Sequence, residues 1–360
     1  MDELPATLVT LVPGGPMDAA RQLAVGAHWG DDLTPAQYAA REAHVLEHSA
    51  WVQRADACAI FGLALPGEAA AVPAVSCKVY AMDCLHVALP GVVSRGQALG
   101  IASVFTLEQH RRRGLASRML RALAASPQAA HSLGLLLMSE VDCAIYERCG
   151  YVAPSKAIQD WVFTGAAAPA APAVTLVSPE QLPALSARLT QLAERDLLAR
   201  GEVGAVAVVP SAEQFLWHSA RYAGRRKALG LDLPPQVCGA TCGDAFAIWA
   251  LDAEDGVAVL RILALVASQD ASATAAVLAA AVQTAASAGA PDGRTLAWTT
   301  GTLHAEASAQ PWSPPAEQLA GVGVSFSCEA RRCLSVPMMA PLRPHLQPAS
   351  CSWIPRGVWV

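Results

Sequence analysis

Charge is scarce in this chain, and neither sign dominates it. Of 360 residues only 15% are Asp, Glu, Lys or Arg, and the formal net charge is −5. A general nucleic-acid binder carries a clearly basic domain, so that class is set aside. The ten cysteines include no Cys-x-x-Cys pair. Cys238 with Cys242, and Cys328 with Cys333, lack the further His or Cys pair that a zinc site needs. No metal is expected, and the cysteines read as reduced, mostly buried thiols of a cytoplasmic protein. The opening "MDELPATLVT" has no basic n-region and no Arg-rich amphipathic start, so no secretory or organelle address is expected. Neither GxxxxGK[ST] nor GxGxxG occurs, which removes the two commonest nucleotide signatures. Long apolar runs are also missing. The nearest, "ASATAAVLAAAVQTAASAGA" (Ala271 to Ala290), consists of small residues broken by Gln283, threonines and serines. It reads as a buried helix, and no membrane partner is expected.

What is present is enough apolar residue, 53% of the chain, for two ordinary domains. The composition breaks at "TGAAAPAAPAVTLVSP" (Thr164 to Pro179), rich in Ala, Pro and Gly. The expected division is a domain over 1–164, a linker over 165–174 and a second domain over 175–360. Before the break the order reads helix, strands, strand, helix, strand, helix, strand. Thr34 and Pro35 open a helix predicted to run on through "HSAWV". "CAIYERCGY" is a short helix closed by Gly150 as a left-handed cap, and "DWVF" is the last strand. After the break two helices, a β-hairpin turning at Asp255–Gly256, the Ala-rich helix and the strand "RTLAWTT" give a similar order. The tail from Gln310 looks irregular. The fold class is α/β with mixed sheets, the second half reading as a degenerate copy of the first.

The stretch "IASVFTLEQHRRRGLASRML" (Ile101 to Leu120) puts a strand, a turn and a helix in succession, the helix expected to begin near Arg112. Free N–H groups at such a helix start, together with its dipole, form a site for phosphate or pyrophosphate. Gly114 would let the chain approach a ligand closely, and Ala116 keeps the next turn thin. Arg111, Arg112 and Arg113 would pair with phosphate oxygens. The pattern Arg-x-x-Gly-x-Ala is short, and by itself it is equally a solvated turn.

The run resembles motif A of the GCN5-related N-acetyltransferases, and "AIYERCGY" (Ala144 to Tyr151) resembles their motif B, in the family's order. A narrower similarity, to fungal-type acetyltransferases of free lysine, extends to "HWGDDLTPAQYAARE", "FLWHSAR" and "AIWALDAEDGVAVLRIL". The resemblance implies acetyl-CoA as cosubstrate, its pyrophosphate held by Arg111, Arg112, Arg113, Gly114, Leu115, Ala116 and Ser117. It implies a backbone N–H near Val104 or Phe105 as donor to the thioester carbonyl. Tyr146 would protonate the departing sulfur, since a phenol titrates near ~10 and is available as a donor at neutral pH. Glu140 is the candidate base, directly or through water, with Asp142 beside it. Trp29, Tyr38, Trp217 and His218 are candidates to line an acceptor pocket, against core packing as the competing reading of the tryptophans. The second half, without the Arg-x-x-Gly-x-Ala turn, would close the pocket or form a dimer; monomer and homodimer both stay open. The expected reaction is acetyl transfer to a small primary amine, free L-lysine first. Another amine or a peptide as acceptor, or a non-catalytic acyl-CoA sensor, remain as alternatives.

Overall fold

A computed structural model describes residues 7–66, 72–139, 142–153, 159–165, 174–233, 236–254, 257–290, 293–298, 302–304, 313–330, 336–343, 346 and 351–353. The first half runs β1 (Thr7–Leu11), α1 (Pro16–Trp29), α2 (Pro35–His48), α3 (Ala50–Gln53), β2 (Cys58–Ala64) and β3 (Val75–Leu89). It continues with β4 (Val92–Thr106), α4 (Leu115–Ala124), β5 (Gly134–Ser139), α5 (Ala144–Glu147) and β6 (Gln159–Gly165). The second half begins β7 (Thr175–Val177), α6 (Leu182–Arg200), β8 (Val206–Val208), α7 (Ala212–Ala228), β9 (Gly239–Cys242) and β10 (Ala245–Glu254). There follow β11 (Val257–Ala267), α8 (Ala271–Ser287), β12 (Thr295–Trp298) and β13 (Thr302–His304). The chain then forms α9 (Ala316–Gly321), β14 (Val324–Ala330), β15 (Val336–Pro341) and β16 (Cys351–Trp353).

Local chemistry explains the element ends. Thr34 accepts the Gln37 N–H at 3.3 Å while the Gln37 amide oxygen accepts the Thr34 N–H at 2.9 Å, a reciprocal cap with Pro35 just inside. The helix expected to run on through Trp51 instead stops at His48, because Ser49 turns to extended backbone before α3. Pro90 and Gly91 join β3 to β4 with Leu89 opposite Val92, Gly91 taking φ 72° as the third residue of a type II turn.

Two mixed sheets result. The first has the order β1-β2-β3-β4-β5-β15, with β8 added to the far half of β3 and β16 to β8. The second has the order β14-β6-β12-β11-β10-β9-β7, with β13 also on β11. The two halves therefore exchange strands, and the expected division at residues 164–174 does not separate the sheets. "DWVF" does not end the first sheet: β6 lies between β12 and β14, where Phe163 is fully buried with Leu260 and Val324. The tail is not irregular either. β15 pairs antiparallel with β5, and Met338 and Met339 enter the cores on opposite faces of the first sheet. Covering that edge removes a row of open backbone groups. Residues 166–173 of the expected linker and the hairpin turn at Asp255–Gly256 lie outside the described residues.

The Ala-rich segment is helix α8, buried on the second sheet as expected from its small side chains. Among the described residues no helix is long and apolar enough to cross a membrane. On the first sheet, α4 covers one face through Leu115, Met119, Leu120 and Leu123. The other face carries α1 and α2, with α7 of the second half packed on α2. Gly224 makes that crossing close: a Cβ there would sit 3.1 Å from the Arg41 carbonyl.

Candidate functional site

The site is built around the end of β4. Its pairing with β3 slips between Ser76 and Lys78, so that Ser103 and Val104 together oppose Cys77, and Ser103 takes φ 52°. This is a β-bulge, which frees backbone groups from the ladder and bends the strand. β4 is parallel to β5 only from Leu99–Leu135 to Ile101–Leu137. Beyond that point no pairing of β4 with β5 occurs among the described residues, although β4 runs on to Thr106, and a gap opens between the two strands next to the bulge.

Below the gap the chain turns into α4. Arg111 is extended, Arg112 takes φ 62° and Gly114 φ 71°. Left-handed residues cannot continue a right-handed helix, so α4 begins at Leu115 and not near Arg112. A Cβ on Gly114 would meet nothing within 4 Å. Within the protein itself, then, its glycine is required by the backbone angle. No side chain caps the start of α4, and its first-turn N–H groups are left for an anion or for solvent. All three arginines are exposed. Arg111 Nε donates to the Thr106 carbonyl at 3.2 Å, and an Arg113 Nη lies 2.8 Å from His110 Nδ1.

The second motif packs on this turn. The Asp142 carboxylate accepts the Ala144 N–H at 3.0 Å and starts α5. Gly150, at φ 86°, ends it as expected, and the Tyr151 N–H reaches the Tyr146 carbonyl at 3.2 Å. The Cys149 thiol contacts the Ser117 carbonyl at 3.8 Å, and Tyr146 shares one core with Leu115 and Met119. Tyr146 is 9% exposed and stands edge to face with Tyr151 at 5.9 Å. Burial pushes the Tyr151 phenol well above its ordinary range, and its hydroxyl has no partner among the described residues. Glu140, the candidate base, lies outside the described residues.

The four acceptor candidates part company. Trp29 is 43% exposed and meets Phe105 at the gap. Tyr38 is buried in one cluster with Val25, Leu33 and Phe105, beneath the Arg41 guanidinium at 4.2 Å. Trp217 is buried against Tyr80 with ring centroids 6.4 Å apart, and the half-buried His218 stands edge to face with it at 4.9 Å. A buried polar cluster missed by sequence lies on this face: Asp18, Arg21 and Gln22 of α1, Arg41 and Glu42 of α2, and Lys78 of β3. Its signal was charge at positions where the helical and strand periods point inward. Burial pushes the Glu42 carboxyl up, but Lys78 and Arg41 outweigh it and hold the group well below the usual carboxylate range.

In the second sheet β11 and α8 repeat the order of β4 and α4 without the opening. β12 pairs with Leu260–Ile262 and β13 with Leu265–Ala267, so β11 stays covered to its end. The Asp270 carboxylate accepts the Ser272 N–H at 3.0 Å, placing a fixed negative charge at the start of α8. A phosphate is repelled there. Among the described residues no group of three or more His, Cys, Asp or Glu is placed to hold a metal ion.

Comparison with known proteins agrees with this architecture. Residues 161–310 match the model of the LYC1 GNAT-like C-terminal domain, where GNAT denotes GCN5-related N-acetyltransferase. No curated protein matches the chain. A GCN5-related N-acetyltransferase from Kribbella flavida is 18% identical, with a TM-score of 0.54 over 93% of this chain and 70% of that one. A conserved protein of unknown function from Enterococcus faecalis V583, a probable N-acyltransferase, is 12% identical, with a TM-score of 0.57 over 96% and 74%. A GCN5-related N-acetyltransferase from Anabaena variabilis ATCC 29413 is 10% identical, with a TM-score of 0.52 over 94% and 73%. The chain has the GNAT fold, in two GNAT-like halves.

Proposed function

We propose that this protein transfers an acetyl group from acetyl-CoA to a small primary amine, with the side-chain amine of free L-lysine as the preferred acceptor. One observation carries the reading: the gap between β4 and β5 opens beside the uncapped start of α4, and among the described residues the second half has no counterpart. A long thin cosubstrate with a pyrophosphate suits that combination of an open strand edge and a helix N-terminus. Acetyl-CoA would supply the acyl group. The N–H groups of Gly114 to Ser117, with Arg112 and Arg113, would hold its pyrophosphate, and the bulge at Ser103–Val104 would present an N–H to the carbonyl to be polarised. Tyr146, on the helix packed against that turn, would give a proton to the sulfur. Glu140 keeps the base assignment that its motif position suggests. Trp29 would border the acceptor, and the second half would contribute α7 as a wall without binding cosubstrate of its own. The choice of lysine rests on the sequence resemblance described above.

Thiol release from acetyl-CoA, measured across a panel of amines that includes L-lysine and repeated with Tyr146→Phe, tests this reading. Release with lysine that collapses in the variant supports it. Tight acetyl-CoA binding with no release on any amine points to a sensor, and absence of binding overturns the site itself.

A further inference from the structure

The turn behind Trp29 is gripped from the second half of the chain. Helix α1 ends at Trp29, and Gly30, Asp31, Asp32 and Leu33 lead into α2. The Leu33 N–H donates to the Gly30 carbonyl at 2.8 Å, which closes the turn. Gly30 has no room for a side chain, since a Cβ would sit 2.4 Å from the Leu33 carbonyl oxygen. Asp31 takes φ 51°, a left-handed conformation that Asp tolerates better than most residues with a Cβ. A turn this tight has little slack, so a shift of its two aspartates is passed on to Trp29 beside it.

Two adjacent carboxylates repel each other, and a cation between them removes the repulsion. Arg225, in the last turn of α7, supplies that cation from 193 residues further along the chain. One Nη donates to the Asp32 carboxylate, and the other lies 3.8 Å from that of Asp31. The Arg225 side chain is 6% exposed, against 33% for Asp32 and 56% for Asp31. These carboxylates are its ionic partners among the described residues, and its buried Nε has no partner there. A guanidinium that has given up its water depends on such partners, whereas the aspartates keep much of theirs. Arg225 is the fixed member of the cluster, and the turn is the member that is held.

The same end of α7 holds both sides of the turn. Gln37 Nε2, in the first turn of α2, donates to the Ala228 carbonyl at 2.9 Å. Ala228 and Leu229 pack on the cluster of Val25, Leu33, Tyr38 and Phe105. Phe105 follows the β4 bulge, and its ring is the one that Trp29 meets. The end of α7 therefore reaches the edge of the gap through a single layer of side chains.

We infer that Arg225 is a positioning residue for the acceptor: from the second half it fixes the Asp31–Asp32 turn and, through that turn, the Trp29 indole at the gap. The inference rests on the transferase reading for its purpose. It gives the second half a part in the reaction that needs no cosubstrate site of its own.

The full chain labelled with 5-fluorotryptophan tests the link without turnover. Trp29→Phe, Trp161→Phe and Trp249→Phe each remove one fluorine signal and so assign it. Arg225→Met replaces the buried cation by an apolar chain and leaves two solvated carboxylates behind, so it should fold. It should shift the Trp29 signal and leave Trp161 and Trp249, in the core of the second sheet, in place. Asp31→Asn with Asp32→Asn should shift the Trp29 signal likewise, and adding Arg225→Met to that pair should change nothing more. Arg225→Lys, which keeps the charge, should restore most of the parent signal. In thiol release, Arg225→Met should raise KM for the amine about fivefold, the scale of one half-exposed ion pair, with kcat and KM for acetyl-CoA nearly constant. A Trp29 signal unmoved by Arg225→Met, effects of the two charge removals that simply add, or equal rises in both KM values would overturn the assignment. A parent protein that releases no thiol on any amine would defeat the transferase reading, and the fluorine signals would still decide whether Arg225 sets the turn.

Discussion

Trp29 stands edge to face against Phe105, with ring centroids 5.4 Å apart and planes at 80°. The contact ties the last residue of α1 to the strand residue just past the β4 bulge. The proposed acceptor side of the site and the edge of the gap are thus held as one wall. Because the indole is 43% exposed, Trp29→Ala should cost only about 1 kcal/mol of stability. It should raise KM for the amine several-fold while KM for acetyl-CoA stays constant. Steady-state kinetics with each substrate varied in turn, beside a thermal melt, check this split.

Tyr146 packs in the core shared with α4 and stays 9% exposed. Tyr146→Phe keeps the ring and removes the hydroxyl. The melting temperature should hardly move, acetyl-CoA affinity should persist, and kcat should fall by about 10². A drop in affinity as large as the drop in kcat would remove Tyr146 from the proton-donor role.

Two glycines separate a binding device from a packing device. At Gly114 an added Cβ has open space, so Gly114→Ala meets only the cost of φ 71°, roughly 1–2 kcal/mol, paid in a turn proposed to hold pyrophosphate. At Gly26 the Cβ would sit 2.7 Å from that of Tyr38, and α1 must move off α2. Gly26→Ala should lower stability by about 1–3 kcal/mol with acetyl-CoA affinity nearly intact. Gly114→Ala should show the reverse emphasis, weak binding with a modest loss of stability. Melting curves and a binding isotherm on the same two variants decide it.

The second half should bind no cosubstrate. Titration with acetyl-CoA should give one site per chain, and Asp270→Gly should not create another, because β13 still covers the end of β11. A second site in the variant would mean that the Asp270 carboxylate alone had closed it.

Glu42 links stability to pH. Its folded-state pKa lies below the ordinary 4.5 because Lys78 and Arg41 outweigh burial. A depressed carboxylate contributes stability that is complete above the unfolded value and is lost as pH falls through the folded one. Glu42→Gln leaves Lys78 buried without its partner and should cost about 3 kcal/mol near pH 7. The gap between variant and parent should narrow as pH drops below 4.5. Denaturant titrations at a series of pH values measure it, and a gap that widens in acid would contradict the sign.

The sequence by itself determined the pieces whose chemistry is local. The Thr34–Gln37 cap, the left-handed Gly150, the buried Ala-rich α8 and the strand–turn–helix around Arg111 to Ser117 each depend on residues within a few positions of one another. Tertiary structure alone decided which pieces meet. The apolar run in "DWVF" marks a strand, but such a run suits either sheet, and β6 went to the second, where Phe163 is buried with Leu260 and Val324. The turn at Arg112 and Gly114 was visible in outline, whereas the gap above it was not. The gap is a missing pairing between β4 and β5, and a strand carries no mark of where its neighbour departs. The buried polar face beneath α1 and α2 is the extreme case. Gln22, Lys78 and Trp217 are far apart in sequence, and each is unremarkable until α1, β3 and α7 bury them together.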